Sequence, residues 1–188
     1  LTVVVENLYQ SHNVSAVLRS CECFGVQDIH IIENENPYEV NDEISMGSHK
    51  WLNINRYNAL ENNTVQCLTG LKESGYRIIA TVPRPDAGSI FNFDVNSGKF
   101  ALLYGTEKDG LSTEALEMAD ECVYIPMYGF TESFNISVSA ALSLFHLTQE
   151  VRNKVDWQLT EIELIELQLD WLRKSIREPA RIEKRFLK

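Results

Sequence analysis

The sequence lacks several signals by which a protein class is often identified. No apolar run approaches the roughly 20 residues that a membrane-spanning helix needs. Neither the GxGxxG pattern of dinucleotide-binding proteins nor the GK[ST] ending of a P-loop occurs. The four cysteines show no CxxC and no paired spacing, which argues against a zinc site and against a disulfide framework. We therefore expect reduced, buried thiols and a cytoplasmic location.

Positive charge is also scarce, since 17 Lys and Arg face 27 Asp and Glu, for a net charge of −10. Such a balance argues against a protein that coats nucleic acid with positive surface. The distribution is uneven, because residues 171–188 contain seven basic and two acidic residues. One interpretation is a solvated basic helix end, which the helix dipole favours. The other is a patch that contacts phosphates.

Apolar, β-rich runs alternate with helical patterns along the chain, which predicts an α/β fold with a mostly parallel sheet. The expected strands lie at residues 1–8, 28–32, 76–82, 100–105 and 122–127. The expected helices lie near residues 13–24, 57–74, 112–119, 135–152 and 160–177. The first run, LTVVVENL, has no basic region before it and no small-residue cleavage site after it, so we expect a strand rather than a signal peptide.

The first expected helix has a single apolar stripe. The stripe consists of Val14, Val17, Leu18, Cys21 and Phe24. Gly25 is placed to end the helix, and Arg19 projects about 100° away from the stripe at Leu18. This helix is therefore expected to pack on the sheet, with Arg19 on another side.

Two segments, 33–50 and 83–99, are rich in turn residues, and loops of that length in a compact domain are usually functional or mobile. The last helix begins with a capping box formed by Thr160 and Glu163 and is apolar on two sides. A helix of that kind must be covered twice. We therefore divide the chain into a sheet domain, 1–155, and a helical extension, 156–188, that packs on the domain and on a partner chain.

Three blocks carry candidate chemistry: NxxxxxR at Asn13–Arg19, YGTEKDG at Tyr104–Gly110, and IPMxGxxxSxNxSxxxAL at Ile125–Leu142. Each has an ordinary explanation when taken alone. Arginine on an exposed helix face is usually solvated, and asparagine and serine are common helix N-caps. Two glycines after a buried strand let the backbone approach a ligand closely, at the edge where parallel α/β sheets bind ligands.

Taken together and in this order, the three blocks resemble motifs 1, 2 and 3 of the SpoU, or TrmH-like, RNA ribose 2′-O-methyltransferases of the SPOUT superfamily. The resemblance covers residues 12–142. It implies an α/β fold in which a mostly parallel sheet, with helices on both faces, is tied into a deep trefoil knot. It also implies a homodimer, an RNA substrate, and S-adenosyl-L-methionine held in a bent shape by the knot loops.

The resemblance also implies roles for individual residues. It assigns cofactor contacts, largely through the backbone, to Thr81, Gly105, Ile125, Met127 and Phe134. It assigns catalytic roles to Arg19, Glu107, Ser133 and Asn135, and we add Asn13 from the first block.

A ribose 2′-hydroxyl is a poor nucleophile until its proton is removed or polarised. Arginine is a poor base because its pKa exceeds about 12. We therefore expect Arg19 to pair with a phosphate beside the target ribose, in the partner's cofactor site. Asn13, Glu107 and Asn135 are expected to shape the pocket by hydrogen bonding. The chemistry calls for no metal.

The C-terminal extension and the GSHKW block at residues 47–51 resemble the bacterial tRNA (guanosine-18) 2′-O-methyltransferases. The ribosomal-RNA members usually carry a separate N-terminal RNA-binding domain. We therefore expect guanosine-18 in the tRNA D-loop as substrate, with RNA contacts at Arg173, Lys174, Arg177 and Arg181. The alternatives are an rRNA 2′-O-methyltransferase of the same family and a catalytically idle RNA-binding scaffold on the same fold.

Overall fold

The computed structural model describes residues 1–39, 41–84 and 86–186. The chain forms two compact units, Leu1–Val155 and Asp156–Lys188. Within the described ranges, no helix is long and apolar enough to cross a membrane.

The first unit is built on a seven-stranded sheet in which every pairing is parallel. The strands are β1 (Thr2–Glu6), β2 (Asp28–Ile32), β3 (Asn53–Tyr57), β4 (Arg77–Thr81), β5 (Gly88–Ser89), β6 (Phe100–Tyr104) and β7 (Glu121–Tyr124). Their order is β3-β2-β1-β6-β4-β7-β5. The order reverses between β1 and β6, and ligands of open α/β sheets bind at such a switch point, beyond the carboxyl ends of the strands.

Helices cover both faces of this sheet, as the sequence predicted. They are α1 (Ser11–Phe24), α2 (Asp42–Ser45), α3 (Asn63–Glu73), α4 (Thr113–Met118) and α5 (Ile136–Lys154). Successive strand residues point to opposite faces. Val3 and Val5 of β1 therefore join a core with α1 and α5, whereas Val4 joins a second core with α3 and α4.

The first helix confirms its predicted apolar stripe. Val14, Val17, Leu18 and Cys21 are buried, whereas Phe24 is partly buried and packs against the same core. Gly25 ends the helix in the left-handed region at φ 77°, and its amide donates to the carbonyl oxygens of Cys21 and Glu22. Glycine adopts that conformation without strain from a Cβ.

The predicted helix at residues 57–74 was wrong at its start. Asn53–Tyr57 forms β3 and pairs with β2 along its whole length. The helix, α3, begins at Asn63 because the Asn62 side chain accepts a hydrogen bond from the Val65 amide and so acts as its N-cap. The alternation in NINRY was too weakly apolar to reveal an edge strand in advance.

Two smaller expectations also needed correction. Segment 83–99 contains β5 and a short 3₁₀ helix, Ile90–Asn92, and it buries Ile90, Phe93 and Val95 in the core shared with α1 and α5. Two of the cysteines, Cys21 and Cys67, are buried, but Cys23 is exposed and Cys122 is only partly buried.

The second unit contains α6 (Glu161–Ser175) and α7 (Pro179–Phe186), so the predicted helix at 160–177 ends earlier than expected. Glu178, at φ 57°, separates the two helices. The capping box is confirmed, because Thr160 caps the Glu163 amide and the Glu163 carboxylate accepts from the Thr160 amide. Large apolar side chains of α6, including Ile162, Ile165 and Leu172, are exposed.

Candidate functional site

The loops that follow β4, β6 and β7 enclose a cavity of about 370 Å³, here called the first cavity. Its walls include residues 81–84, 105–111, 123–125 and Met127, with Ser133, Phe134 and residues of α5. The volume is near the lower end of the roughly 300–1,000 Å³ typical of small-molecule sites. The carboxyl ends of three parallel strands thus converge on one ligand-sized space.

Gly105 makes this arrangement possible because no side chain fits at its position. A Cβ there would lie 2.2 Å from the carbonyl oxygen of Gly110 and 2.5 Å from the backbone nitrogen of Leu111. Residues 106–110 fold back into a tight turn in which Thr106 and Gly110 exchange backbone hydrogen bonds of 2.9 and 3.1 Å. Two backbone segments therefore pack directly against each other in the wall of the first cavity.

Asn135 is the N-cap of α5, and its side chain also joins three elements. Its Oδ1 accepts from the Ser137 amide at 2.9 Å, which is the capping contact. Its Nδ2 donates to Asn13 Oδ1 on α1 at 3.1 Å and to the Glu107 carboxylate. We call Asn13, Asn135 and Glu107 the amide bridge. One amide group uses both its donor and acceptor functions, so it holds the other two side chains in fixed positions.

A larger cavity of about 910 Å³, the second cavity, adjoins the first. It lies at the carboxyl ends of β1, β2 and β6, where the strand order reverses, and is lined by residues 6–10, Asn13, 34–36, 61–62, Thr64, 106–112, Glu114 and Ile136. Residues 106–111 and Ile136 border both cavities. The amide bridge lies at this shared wall, because Glu107 lines both spaces and Asn13 lines the second.

Glu6, at the end of β1, fixes one wall of the second cavity. The residue is only 2% exposed. Its carboxylate accepts from Thr64 Oγ1 at 2.6 Å, from Ser112 Oγ at 2.7 Å and from the Ser112 amide at 2.9 Å. A buried carboxylate satisfied in this way ties α3 and α4 to the central strand.

The segment after β2 is held just as firmly. Asn7, at φ 55°, accepts with Oδ1 from the amides of Glu35 and Asn36, both at 2.8 Å. The buried Glu33 carboxylate accepts both guanidinium hydrogen bonds of Arg56 at 2.7 Å. The hydrogen bond with Arg56 holds the pKa of Glu33 below its ordinary value.

The structure brings together most of the predicted site residues. All five predicted cofactor contacts, with Glu107 and Ser133, line the first cavity: Thr81, Gly105, Ile125, Met127 and Phe134. Asn13 and Asn135 join Glu107 in the amide bridge. Arg19 is the exception, because it is exposed on α1 and borders neither cavity.

Three of the four predicted RNA contacts in the second unit already pair with acids. Arg173 donates to Glu183 at 2.7 Å, Lys174 lies 2.6 Å from Asp170, and Arg181 lies 3.2 Å from Glu178. Arg177 is exposed and forms no ion pair within the described part of the chain. Lys188, which contributes to the basic tail, lies outside the described residues.

The sequence reasoning missed the second cavity and the side chains that build it. One signal could have revealed Glu6, since a charged residue directly after the apolar run TVVV is unusual at the end of a central strand. The asparagines at positions 7, 34 and 36 gave no comparable signal, because asparagine is common in turns. Among the described residues, no group of three or more His, Cys, Asp or Glu could hold a metal ion.

With this geometry established, similarity to known proteins becomes informative. The model of the SpoU rRNA Methylase family matches residues 1–145. The tRNA (guanosine(18)-2′-O)-methyltransferase of Borreliella burgdorferi is 39% identical over 184 residues, which cover 97% of this chain and 82% of that protein.

Solved structures are similar over comparable lengths. The Aquifex aeolicus TrmH/SpoU tRNA modifying enzyme superposes with a TM-score of 0.79 at 30% identity, covering 94% of this chain and 89% of that one. The SpoU methyltransferase AviRb of Streptomyces viridochromogenes, solved with the cofactor AdoMet, gives a TM-score of 0.67 at 21% identity. That match covers 82% of this chain and 58% of AviRb, and it supports the fold alone.

Proposed function

The chain belongs to the SpoU rRNA methylase family, and on that basis we propose that it methylates the ribose 2′-hydroxyl of guanosine-18 in the tRNA D-loop. The observation that carries the substrate is the 39% identity, over 97% of the chain, to a protein named for that reaction. The methyl donor is S-adenosyl-L-methionine. An RNA-modifying enzyme of this kind acts in the cytoplasm.

The first cavity suits this cofactor by its shape and by the groups that line it. Because Gly105 has no side chain, the backbone of Gly110 packs closely against it in the cavity wall, and peptide groups of such a wall can pair with the polar edge of an adenine. Ile125, Met127 and Phe134 supply apolar surface for the ring. Thr81 closes the β4 side, where its hydroxyl donates to the Leu103 carbonyl at 2.9 Å. When bound, the cofactor supplies an electrophilic methyl group carried by a sulfonium.

The amide bridge positions the ribose that accepts the methyl group. Glu107 and Ser133 line the first cavity, and Asn13 lines the second. A ribose at the shared wall therefore lies within reach of side chains from both cavities. The 2′-oxygen gains a carbon while its hydrogen leaves as a proton, so the site must orient or polarise that hydroxyl. The Glu107 carboxylate can accept a hydrogen bond from the 2′-hydroxyl, while the hydrogen bond from Asn135 holds the carboxylate in place.

Arg19 acts in the cavity of a partner subunit, where it pairs with the phosphate beside the target ribose. What supports a homodimer is the exposed apolar stripe of Val138, Leu142 and Phe145 on α5. The ring centroids of Phe145 and Phe24 lie 6.2 Å apart. Because Phe24 belongs to α1, the stripe borders the helix that carries Arg19. In the second unit, taken by itself, the exposed apolar side chains of α6 also offer surface to a second copy.

The loops around the first cavity form a trefoil knot in this proposal. Support comes from the way residues 81–84, 105–111 and 123–125 surround one space, although they follow three different strands. Segment 83–99 also buries Ile90 and Phe93 against the core that contains α5. A chain threaded through that segment holds its loops in place without relying on flexible side chains.

The C-terminal extension binds tRNA phosphates through its basic residues Arg173, Lys174, Arg177 and Arg181. Arg177 contributes most, because phosphate contacts of the other three must replace existing ion pairs.

Transfer of a labelled methyl group to unmodified tRNA, followed by nuclease mapping, tests the proposed function. We expect one 2′-O-methylguanosine at position 18, and no transfer to a transcript that carries a 2′-deoxyribose there. Incorporation into ribosomal RNA fragments but not into tRNA would favour an rRNA methyltransferase. Failure to bind S-adenosylmethionine in a calorimetric titration would favour the idle scaffold.

A further inference from the structure

The second cavity is larger than a ribose requires, and its chemistry does not match a phosphate. Its walls carry the carboxylates of Glu6, Glu35, Glu61, Glu107, Asp109 and Glu114 against the single ammonium of Lys108. Carboxylates repel phosphates, but they accept hydrogen bonds from N–H groups. A neutral group rich in donors therefore fits this space better than the RNA backbone does.

Tyr9 provides an aromatic surface at the same place. Its side chain is 81% exposed although it lies directly after Leu8, which is buried. An exposed aromatic ring beside a cavity is the platform on which unpaired bases stack when proteins recognise single-stranded or looped RNA. The amide bridge, to which the proposed function assigns the ribose, contributes Asn13 and Glu107 to the lining of the same cavity.

The backbone around Glu35 is held on both sides by hydrogen bonds of its neighbours. On one side, Asn34 donates to Thr64 Oγ1 at 2.9 Å and accepts from the Asn63 amide at 3.0 Å. On the other side, Asn36 donates to the Asn7 carbonyl at 2.9 Å. The Glu35 amide itself donates to Asn7 Oδ1.

Glu6 is already saturated by three hydrogen bonds, and Glu107 belongs to the amide bridge, which the proposed function assigns to the ribose. Glu35 has no side-chain partner within residues 1–39, 41–84 and 86–186. Its carboxylate is thus free to bind a ligand while its backbone is fixed.

We propose that the second cavity holds the target base, with Tyr9 stacking on it and the Glu35 carboxylate reading guanine. Guanine presents N1–H and its amino group as adjacent donors, which match the two oxygens of one carboxylate. Adenine presents a lone pair at N1, which a carboxylate repels. This inference rests on the proposed function, and it adds the residues that select the nucleoside.

Exchanging the base and the side chain together tests the proposal. Methyl transfer is measured as kcat/KM on two tRNA transcripts that carry guanosine or adenosine at the target position. We expect Glu35→Gln to reduce the preference for guanosine about tenfold or more, because an amide can donate to adenine N1 as well as accept. We expect Tyr9→Ala to lower kcat/KM about tenfold for both transcripts, while Tyr9→Phe retains the activity.

Matched controls separate recognition from folding. Glu117→Gln changes an exposed carboxylate of α4 that borders neither cavity, and it should leave the preference unchanged. Cofactor affinity by calorimetry should be the same in all variants. An unaltered preference in Glu35→Gln would overturn the proposal, as would a loss of preference caused instead by Glu61→Gln or Glu114→Gln.

A second readout keeps this result independent of catalysis. Fluorescence anisotropy of a labelled D-arm hairpin with guanosine or adenosine at the target position measures binding without methyl transfer. A guanosine preference that depends on Glu35, in a protein that transfers no methyl group, would uphold the base site and refute the proposed function. Equal binding of both hairpins by the unmodified protein would refute the base site.

Discussion

The two cavities share the wall at residues 106–111 but differ in how their other walls are built. The first depends on close backbone packing, at a point where even a Cβ on Gly105 has no room, next to the apolar side chains of Ile125 and Met127. The second is lined by many asparagine and glutamate residues, where the Asn7 side chain accepts from the backbone amides of Glu35 and Asn36 and the Glu6 carboxylate accepts from Thr64. The first therefore depends on steric fit, whereas the second depends on individual polar contacts.

Gly105→Ala should produce the largest effect of any single change. Its Cβ would collide with the backbone of Gly110, so we expect a cost on the order of 3 kcal/mol and about 100-fold weaker cofactor binding or worse. Calorimetric titration with S-adenosylmethionine measures the affinity. Gly129→Ala is the matched control, because a Cβ there meets nothing within 4 Å. Equal affinities in the two variants would show that the first cavity does not depend on close backbone packing.

Asn135→Ala should lower methyl transfer about 100-fold by releasing Asn13 and Glu107 from the amide bridge. It should also destabilise the protein by about 1 kcal/mol, because α5 loses its N-cap. Asn135→Ser keeps a capping oxygen but lacks the amide donor. We expect serine to restore the stability, measured by urea unfolding, and not the rate. Recovery of both would mean that Asn135 serves only as a cap.

Glu33→Ala should lower the free energy of unfolding by about 2 kcal/mol, because it removes a buried carboxylate that accepts several hydrogen bonds. The Arg56 contact holds the folded-state pKa of Glu33 below its ordinary value of 4.5. The stabilisation is therefore present above that pH and is lost as the pH falls through the folded-state pKa. Urea unfolding at neutral and acidic pH should show a smaller pH dependence in Glu33→Ala than in Glu117→Ala. Identical pH profiles would contradict this role.

The smallest expected effect is that of the basic tail. Arg177→Ala should weaken the salt dependence of tRNA binding. The slope of log K against the logarithm of the salt concentration should fall in magnitude by about one. Arg173→Ala should have a weaker effect, because Arg173 must leave Glu183 to reach a phosphate. Filter binding over a range of salt concentrations, with Lys99→Ala as control, would measure both. A larger effect of Arg173→Ala than of Arg177→Ala would show that existing ion pairs do not limit phosphate contact.

The family and the first cavity could be predicted from the sequence, because their determinants are local. The family match confirms the resemblance drawn from the three blocks. Gly105, Ile125 and Met127 each follow a strand visible as an apolar run, and parallel strands bring their carboxyl ends to one edge. Gly25 and the Thr160 capping box were predictable for the same reason, since each acts within a few residues.

The second cavity was not predictable, because its contacts join residues far apart in the chain. Glu6 reaches Ser112 across 106 positions, and Asn7 reaches Glu35 across 28. β3 was missed because its stability comes from pairing with β2 rather than from its own composition. Arg19 borders neither cavity of its own chain, and the role proposed for it depends on a second copy of the chain.

A crystal structure of the protein with S-adenosylhomocysteine tests the central claim most directly. The account predicts that the ligand occupies the first cavity, against the backbone of Gly105, Ile125 and Met127, and leaves the second cavity free for a nucleoside. Density for the ligand in the second cavity, among Asn7, Tyr9 and Glu35, would contradict it.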